Sequence, residues 1–256
     1  MTVLVVTGTG TEIGKTVVTA ALAATATAAG LRVAVLKPAQ TGLRPDETGD
    51  ADEAVRLSGA VTGTELARFP EPLAPGTAAR RAGMAPVRPD EVADAARKLA
   101  EEHDLVLVEG AGGLLVRFDE AGGTLADVAA LLGAPVVVVV PAGLGTLNST
   151  ALTAEALRAR GIEQSGVVVG SWPDAPDLAA RCNLADLPTA ADAPLLGAVP
   201  AGAGALAPEA FRAAAPGWLA PALGGGWDAA GFAERFAPPA RAAESGATGA
   251  GAAGAR

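Results

Sequence analysis

Residues 3–18 read Val3-Leu4-Val5-Val6-Thr7-Gly8-Thr9-Gly10-Thr11-Glu12-Ile13-Gly14-Lys15-Thr16-Val17-Val18, and this stretch decides the fold. The apolar run Val3 to Val6 reads as a buried β-strand. A helical pattern begins immediately after Thr16, with Val17, Val18, Ala21 and Leu22 on one side. Between them lies a glycine-rich loop whose successive N–H groups turn inward and form a nest for phosphate oxygens. The helix that follows adds its positive end and its unpaired N–H groups. In such a loop Lys15 reaches the terminal phosphates and the Thr16 hydroxyl sits on Mg²⁺. The common spacing puts a glycine five residues before Gly14, where this chain has Thr9; its glycine falls one residue earlier, at Gly8.

Composition narrows the function classes. The chain has 256 residues, half of them apolar, yet only five Phe, three Trp and no Tyr. The net charge of −9 comes without a basic block, and binding to nucleic acid by counterion release needs clustered Lys and Arg. The longest apolar run, Val136 to Val140, is too short to span a bilayer, and no basic, apolar export leader is visible. A cytoplasmic location is the expectation. The lone Cys182 excludes an internal disulfide and a cysteine-cluster metal site; it reads as a small helix residue. The lone His103 lies in Glu101-Glu102-His103-Asp104, just before a strand. It is expected as a solvated loop residue at the sheet edge opposite the phosphate loop, which leaves proton transfers to carboxylates, water or substrate.

Short β-branched runs alternate with helical patterns along the chain. Strands are expected at Arg32 to Lys37, with Pro38 ending it, and at Leu105 to Val108, Val136 to Val140, Val167 to Val169 and Leu196 to Val199. Helices are expected at about 50–58, 89–102, 125–132 and 146–160, with one or two more between Pro208 and Phe236. This alternation predicts an α/β fold of the P-loop NTPase type, a mostly parallel sheet with helices on both faces. Ligands bind beyond the carboxyl ends of such strands. Residues 1–236 are expected to form one domain. From 237 to 256 the chain has too little apolar surface to offset chain entropy and reads as a disordered tail.

Three further residues carry chemistry. Glu109 ends the apolar strand Leu105-Val106-Leu107-Val108, where a P-loop enzyme holds Mg²⁺, and Gly110-Ala111-Gly112-Gly113 follow. Lys37 ends the second strand, expected beside the P-loop strand, so that a second cation faces the phosphates. Asp50 opens the next helix, either capping it or completing a metal shell, with Asp46, Glu47, Asp52 and Glu53 nearby.

Together these motifs resemble the dethiobiotin synthetase family. The resemblance rests on Gly8-Thr9-x-Thr11-Glu12-x-Gly14-Lys15-Thr16, on Lys37-Pro38 with Thr41-Gly42, on Glu71-Pro72-x-Ala74-Pro75, on Val108 to Gly113, and on Leu144-Gly145-Thr146-Leu147-Asn148. It implies an ATP-dependent cyclo-ligase that joins 7,8-diaminopelargonate and CO₂ into a cyclic urea through a carbamate and its phosphoric anhydride. The metal ligands it implies are Thr16, Asp50 and Glu109. The catalytic residues are Lys37, Lys15 and Glu12. Thr11, Lys37 and Thr41 line the diamine site, and the Leu144 to Asn148 turn receives the substrate carboxylate from the other subunit of a homodimer. The nucleotide lies against Glu12, Ile13, Gly14, Lys15, Thr16 and Val17, with Asp50 and Glu109 to Gly112 at its phosphates. Its base meets Gly170 and Ser171 and the Pro200-Ala201-Gly202 loop. Many relatives end that strand with an Asn-Asp-like pair; this chain has Gly170-Ser171-Trp172-Pro173-Asp174.

Two rival readings share the loop and the sheet. Cobyrinate-type amidases add a glutaminase domain with a nucleophilic cysteine and histidine, which this chain lacks. Partition- or septum-type ATPases usually carry a lysine early in the loop, where this chain has Thr9 and Gly10, and they use basic patches or a membrane helix.

Overall fold

The structure, a computed structural model, describes residues 2–59 and 61–238. Most of the expected tail, 239–256, lies outside the described residues. The strands are β1 (Thr2–Gly8), β2 (Val33–Thr41), β3 (Val61–Phe69), β4 (Leu105–Glu109), β5 (Val136–Val140), β6 (Gln164–Trp172) and β7 (Leu195–Pro200). The helices are α1 (Lys15–Ala28), α2 (Asp50–Ser58), α3 (Pro75–Ala82), α4 (Pro89–Glu102), α5 (Leu125–Leu132), α6 (Thr146–Arg158), α7 (Leu178–Ala191), α8 (Pro208–Ala214) and α9 (Ala229–Phe236).

The seven strands form one parallel sheet in the order β3-β2-β4-β1-β5-β6-β7. Right-handed crossovers put α1 and α2 on one face and α4 to α7 on the other. α8 packs on α1 and α2. Burial on both faces explains the valine runs: all five residues of β5 are completely buried, as are Val5, Val6 and Val106 to Val108. Small residues let α1 lie close on the sheet, with Ala20, Ala21 and Ala23 fully buried.

Two expectations about β2 are corrected. The strand does not stop at Pro38 but runs to Thr41. Its pairing with β4 ends at Leu36, so beyond that residue no partner on the β4 side needs the N–H that proline lacks. Nor is β2 adjacent to β1, because β4 lies between them. β3 and α3 have no counterpart among the elements expected from the sequence. The strand Val61-Thr62-Gly63-Thr64-Glu65-Leu66-Ala67-Arg68-Phe69 is a half-exposed edge with no continuous apolar run.

Cys182 falls on α7 and is half-buried, as a small helix residue should be. His103 sits at the amino-end edge as expected, but it is not merely solvated. It is half-buried at the end of α4, with Nδ1 2.8 Å from the Leu99 carbonyl oxygen and Nε2 2.9 Å from Thr62 Oγ1. Among the described residues no helix is long and apolar enough to cross a membrane.

Candidate active site

The site is built where the sheet changes direction. β1 is flanked by β4 and β5, and a crevice opens beyond the carboxyl ends at such a point. The loop leaving β1 closes at Gly14, with φ of 91°. A Cβ there would collide with the Gly170 carbonyl, and one on Gly170 would collide with the Ile13 carbonyl. Glycine at both positions therefore lets the phosphate loop rest directly on the end of β6. Glu12 also has positive φ, at 57°, a conformation that costs a non-glycine residue energy and is kept mostly at functional turns. The first turn of α1 has neither a side-chain cap nor an acidic residue, so its N–H groups stay open to an anion.

Strand register brings the charges together. Leu36 pairs with Val108, so the next residue on each strand, Lys37 and Glu109, meet side by side. Lys37 Nζ donates to Glu109 Oε1 at 2.8 Å and to the Gly110 carbonyl at 3.2 Å, and it lies 2.5 Å from Asp50 Oδ2. Thr16 Oγ1 donates to the same Glu109 oxygen at 2.9 Å. Lys37 and Glu109 are 2% and 1% exposed. Burial by itself lowers the ammonium pKa of Lys37, but Glu109 and Asp50 outweigh it, and the net shift is upward. Lys15 folds back on its loop, donating to the Gly10 carbonyl at 2.7 Å. Burial, and then the neighbouring Lys37, lower its pKa.

These groups line a cavity of about 680 Å³. It gathers Thr11 to Val17, Lys37, Thr41, Asp50, Glu109, Ala111 and Gly112, and it adds Gln40 and the Pro72-Leu73-Ala74-Pro75 turn. Gln40 is an addition to the expected site residues; its signal in the sequence is its place in Lys37-Pro38-Ala39-Gln40-Thr41-Gly42. A second cavity of about 810 Å³, bordered by Arg80, Arg88, Asp119 and Asp127, contains none of the expected site residues.

Other expected residues do not line the site cavity. Gly170 is buried behind the loop, and Ser171 is exposed beside it. The Ala201 N–H donates to the Trp172 carbonyl at 2.7 Å, which ties the 200–202 loop to the end of β6. Leu144 is 94% exposed, and residues 144–148 do not line the cavity of their own chain.

The oxygen donors suit a hard divalent cation. Among the described residues no group of three or more His, Cys, Asp or Glu is spaced to hold a metal. Mg²⁺ needs no such cage, since one or two carboxylates with phosphate oxygens and water suffice. Glu109 Oε2 is buried and has no hydrogen-bond partner, an acceptor left over for such an ion.

Strand, glycine-rich loop, helix and strand-end acid in a parallel sheet define a P-loop NTPase-like α/β protein. A family model described as an AAA domain matches residues 2–207. The ATP-dependent dethiobiotin synthetase BioD of Streptomyces avermitilis is 74% identical over 238 residues, covering 93% of this chain and all of that one. The proteins of the same name from Streptomyces coelicolor and Parafrankia sp. are 72% and 59% identical, each covering 93% of this chain and all of the relative. The chain belongs to the ATP-dependent dethiobiotin synthetase family. A ParA family ATPase from Chlorobium tepidum superposes with a TM-score of 0.53 at 13% identity, covering 87% of this chain and 95% of that one. Chloroplast FtsY from Physcomitrella patens gives 0.53 at 17%, covering 93% and 65%. These two likenesses concern the fold alone, and the rival readings gain nothing from them.

Proposed function

We propose that this chain closes the cyclic urea of dethiobiotin from 7,8-diaminopelargonate, CO₂ and ATP. The observation that carries the reading is the convergence of Lys15, Lys37, Asp50 and Glu109 on one cavity at the mouth of the phosphate loop, in a chain so similar to proteins of that name. One substrate amine adds to CO₂, giving a carbamate and releasing a proton. A carbamate oxygen attacks the terminal phosphorus of ATP and ADP leaves. The second amine then attacks the carbonyl carbon, the C–O bond to phosphate breaks, and the remaining amine proton departs.

Each step builds or moves negative charge, so fixed cations aimed at the cavity are the main source of rate. Lys37, anchored by Glu109 and Asp50, neutralises the carbamate. Lys15 reaches the transferring phosphoryl group. Thr16, Asp50 and Glu109 would hold Mg²⁺, which supplies further positive charge at the phosphates. Glu12, Thr11 and Thr41 border the diamine, and the exposed Glu12 carboxylate would accept an amine proton.

The exposed Leu144, and Leu152 at 58% on α6, fit a homodimer in which the 144–148 turn completes the partner's site. A cytoplasmic enzyme accords with these small soluble substrates. Phosphate release tests the reading. It should require both diamine and bicarbonate; release from ATP with neither would instead indicate a nucleotide switch.

A further inference from the structure

The first turn of α2 has no N-cap side chain: Asp52 Oδ2 accepts the Gly49 N–H at 3.1 Å, and no side chain of the helix accepts the Asp50 N–H. A helix leaves its first N–H groups without intrahelical partners, and a polar side chain at the N-cap commonly supplies an acceptor. Here the N-cap is Gly49. A Cβ at that position would collide with Glu65 Oε1 and meet an Arg68 terminal nitrogen at 2.7 Å, so a side chain there would have to displace that pair. The Glu65 carboxylate is itself fixed by Arg68, at 2.9 Å from Nε and 2.8 Å from a terminal nitrogen.

The acceptor comes instead from the neighbouring strand. Gln40 Oε1 accepts the Asp50 N–H at 2.9 Å, and Gln40 Nε2 faces the Thr41 carbonyl at 3.4 Å. The second contact turns the oxygen end of the amide toward the helix. Gln40 is only 5% exposed, so the bond forms out of bulk water, where losing an acceptor costs most. The residue it holds, Asp50, is the one whose carboxylate meets Lys37.

We propose that Gln40 is a positioning residue: its amide oxygen pins the first turn of α2 to the end of β2 and so fixes the Asp50 carboxylate beside Lys37 and Glu109. This rests on the Mg²⁺–nucleotide reading of the site. A carboxylate on a fraying helix end drifts, and a misplacement of about 1 Å is enough to weaken a preorganised site substantially.

The test is a Mg²⁺ titration of the thermal stabilisation given by ATP, which needs no diamine. Gln40→Met keeps the length and removes the acceptor, whereas Gln40→Glu keeps an acceptor. The first should raise the Mg²⁺ midpoint roughly tenfold, as loss of an outer-shell partner typically does. The second should leave the midpoint at or below the wild-type value. Gln40→Met combined with Asp50→Asn should be no worse than Asp50→Asn alone, because both remove one interaction. Additive effects overturn the proposal. So does an unchanged midpoint in Gln40→Met with a raised KM for the diamine, which would make Gln40 a substrate contact. If Gln40→Met does not fold, Gln40→Glu decides: a wild-type or lower midpoint supports the proposal and a tenfold rise overturns it. Wild-type protein that ATP stabilises equally with and without Mg²⁺ would remove the reading beneath the proposal, a failure visible before any variant is made.

Discussion

Lys37 Nζ and Glu109 Oε1 form a buried ion pair at 2.8 Å, made by side chains of two adjacent strands, Lys37 within β2 and Glu109 at the end of β4. Breaking such a pair from one side strands the other charge in a low-dielectric interior. Lys37→Met should therefore lower stability by about 3–5 kcal/mol as well as abolish turnover. Urea unfolding would measure it, and Glu109→Gln added to Lys37→Met should recover part of the loss. Lys37→Met with wild-type stability would contradict the burial of this lysine.

Thr16 shares that Glu109 oxygen and stands at the start of α1. Thr16→Val keeps the shape and removes the hydroxyl. The Mg²⁺ midpoint for ATP-dependent stabilisation should rise by about tenfold or more, with little change in the melting temperature of the free protein. An unaltered midpoint would take Thr16 out of the metal site.

Base selection should be loose. Gly170 is committed to packing against the phosphate loop, Ser171 offers one short hydroxyl, Pro173 has no N–H, and the Ala201 N–H is already bonded to the Trp172 carbonyl. A discriminating site leaves a buried donor or acceptor unpaired when the wrong base enters, and few such groups remain here. ATP, CTP, GTP and UTP should all support turnover, with kcat/KM within roughly tenfold, the worth of one hydrogen bond at about 0.5–1.5 kcal/mol. A preference of a thousandfold for one of them would mean that other residues read the base.

Much of this was legible in the sequence because the informative signals were local. The strand-loop-helix run from Val3 to Val18, the valine run of β5 and the strand-end Glu109 each declare themselves within a few residues. What stayed hidden depends on strand order. The insertion of β4 between β1 and β2 makes Lys37 and Glu109 neighbours, and no periodicity encodes it. β3 was missed because an edge strand is half-exposed and needs no continuous apolar run. The role of Gln40 depends on a bond between β2 and α2 and on a collision at Gly49 that only packing reveals.

The proposed dimer makes a complementation prediction. If the 144–148 turn serves the partner's cavity, Lys15→Ala protein and protein altered at Asn148, each inactive alone, should regain activity when mixed, because one of two shared sites is intact in the heterodimer. Mixtures no more active than their components, or a chain that remains monomeric at assay concentration, would place the turn outside the site.

The central claim is that the cavity between the phosphate loop, Lys37 and Glu109 joins a diamine to CO₂ at the expense of ATP. The most direct measurement is mass spectrometry of the product formed from 7,8-diaminopelargonate, ATP and isotopically labelled bicarbonate. The expected result is a cyclic urea carrying the label, both amines consumed, with ADP and phosphate released in equal amount. Unlabelled or unreacted diamine alongside ADP and phosphate would contradict it.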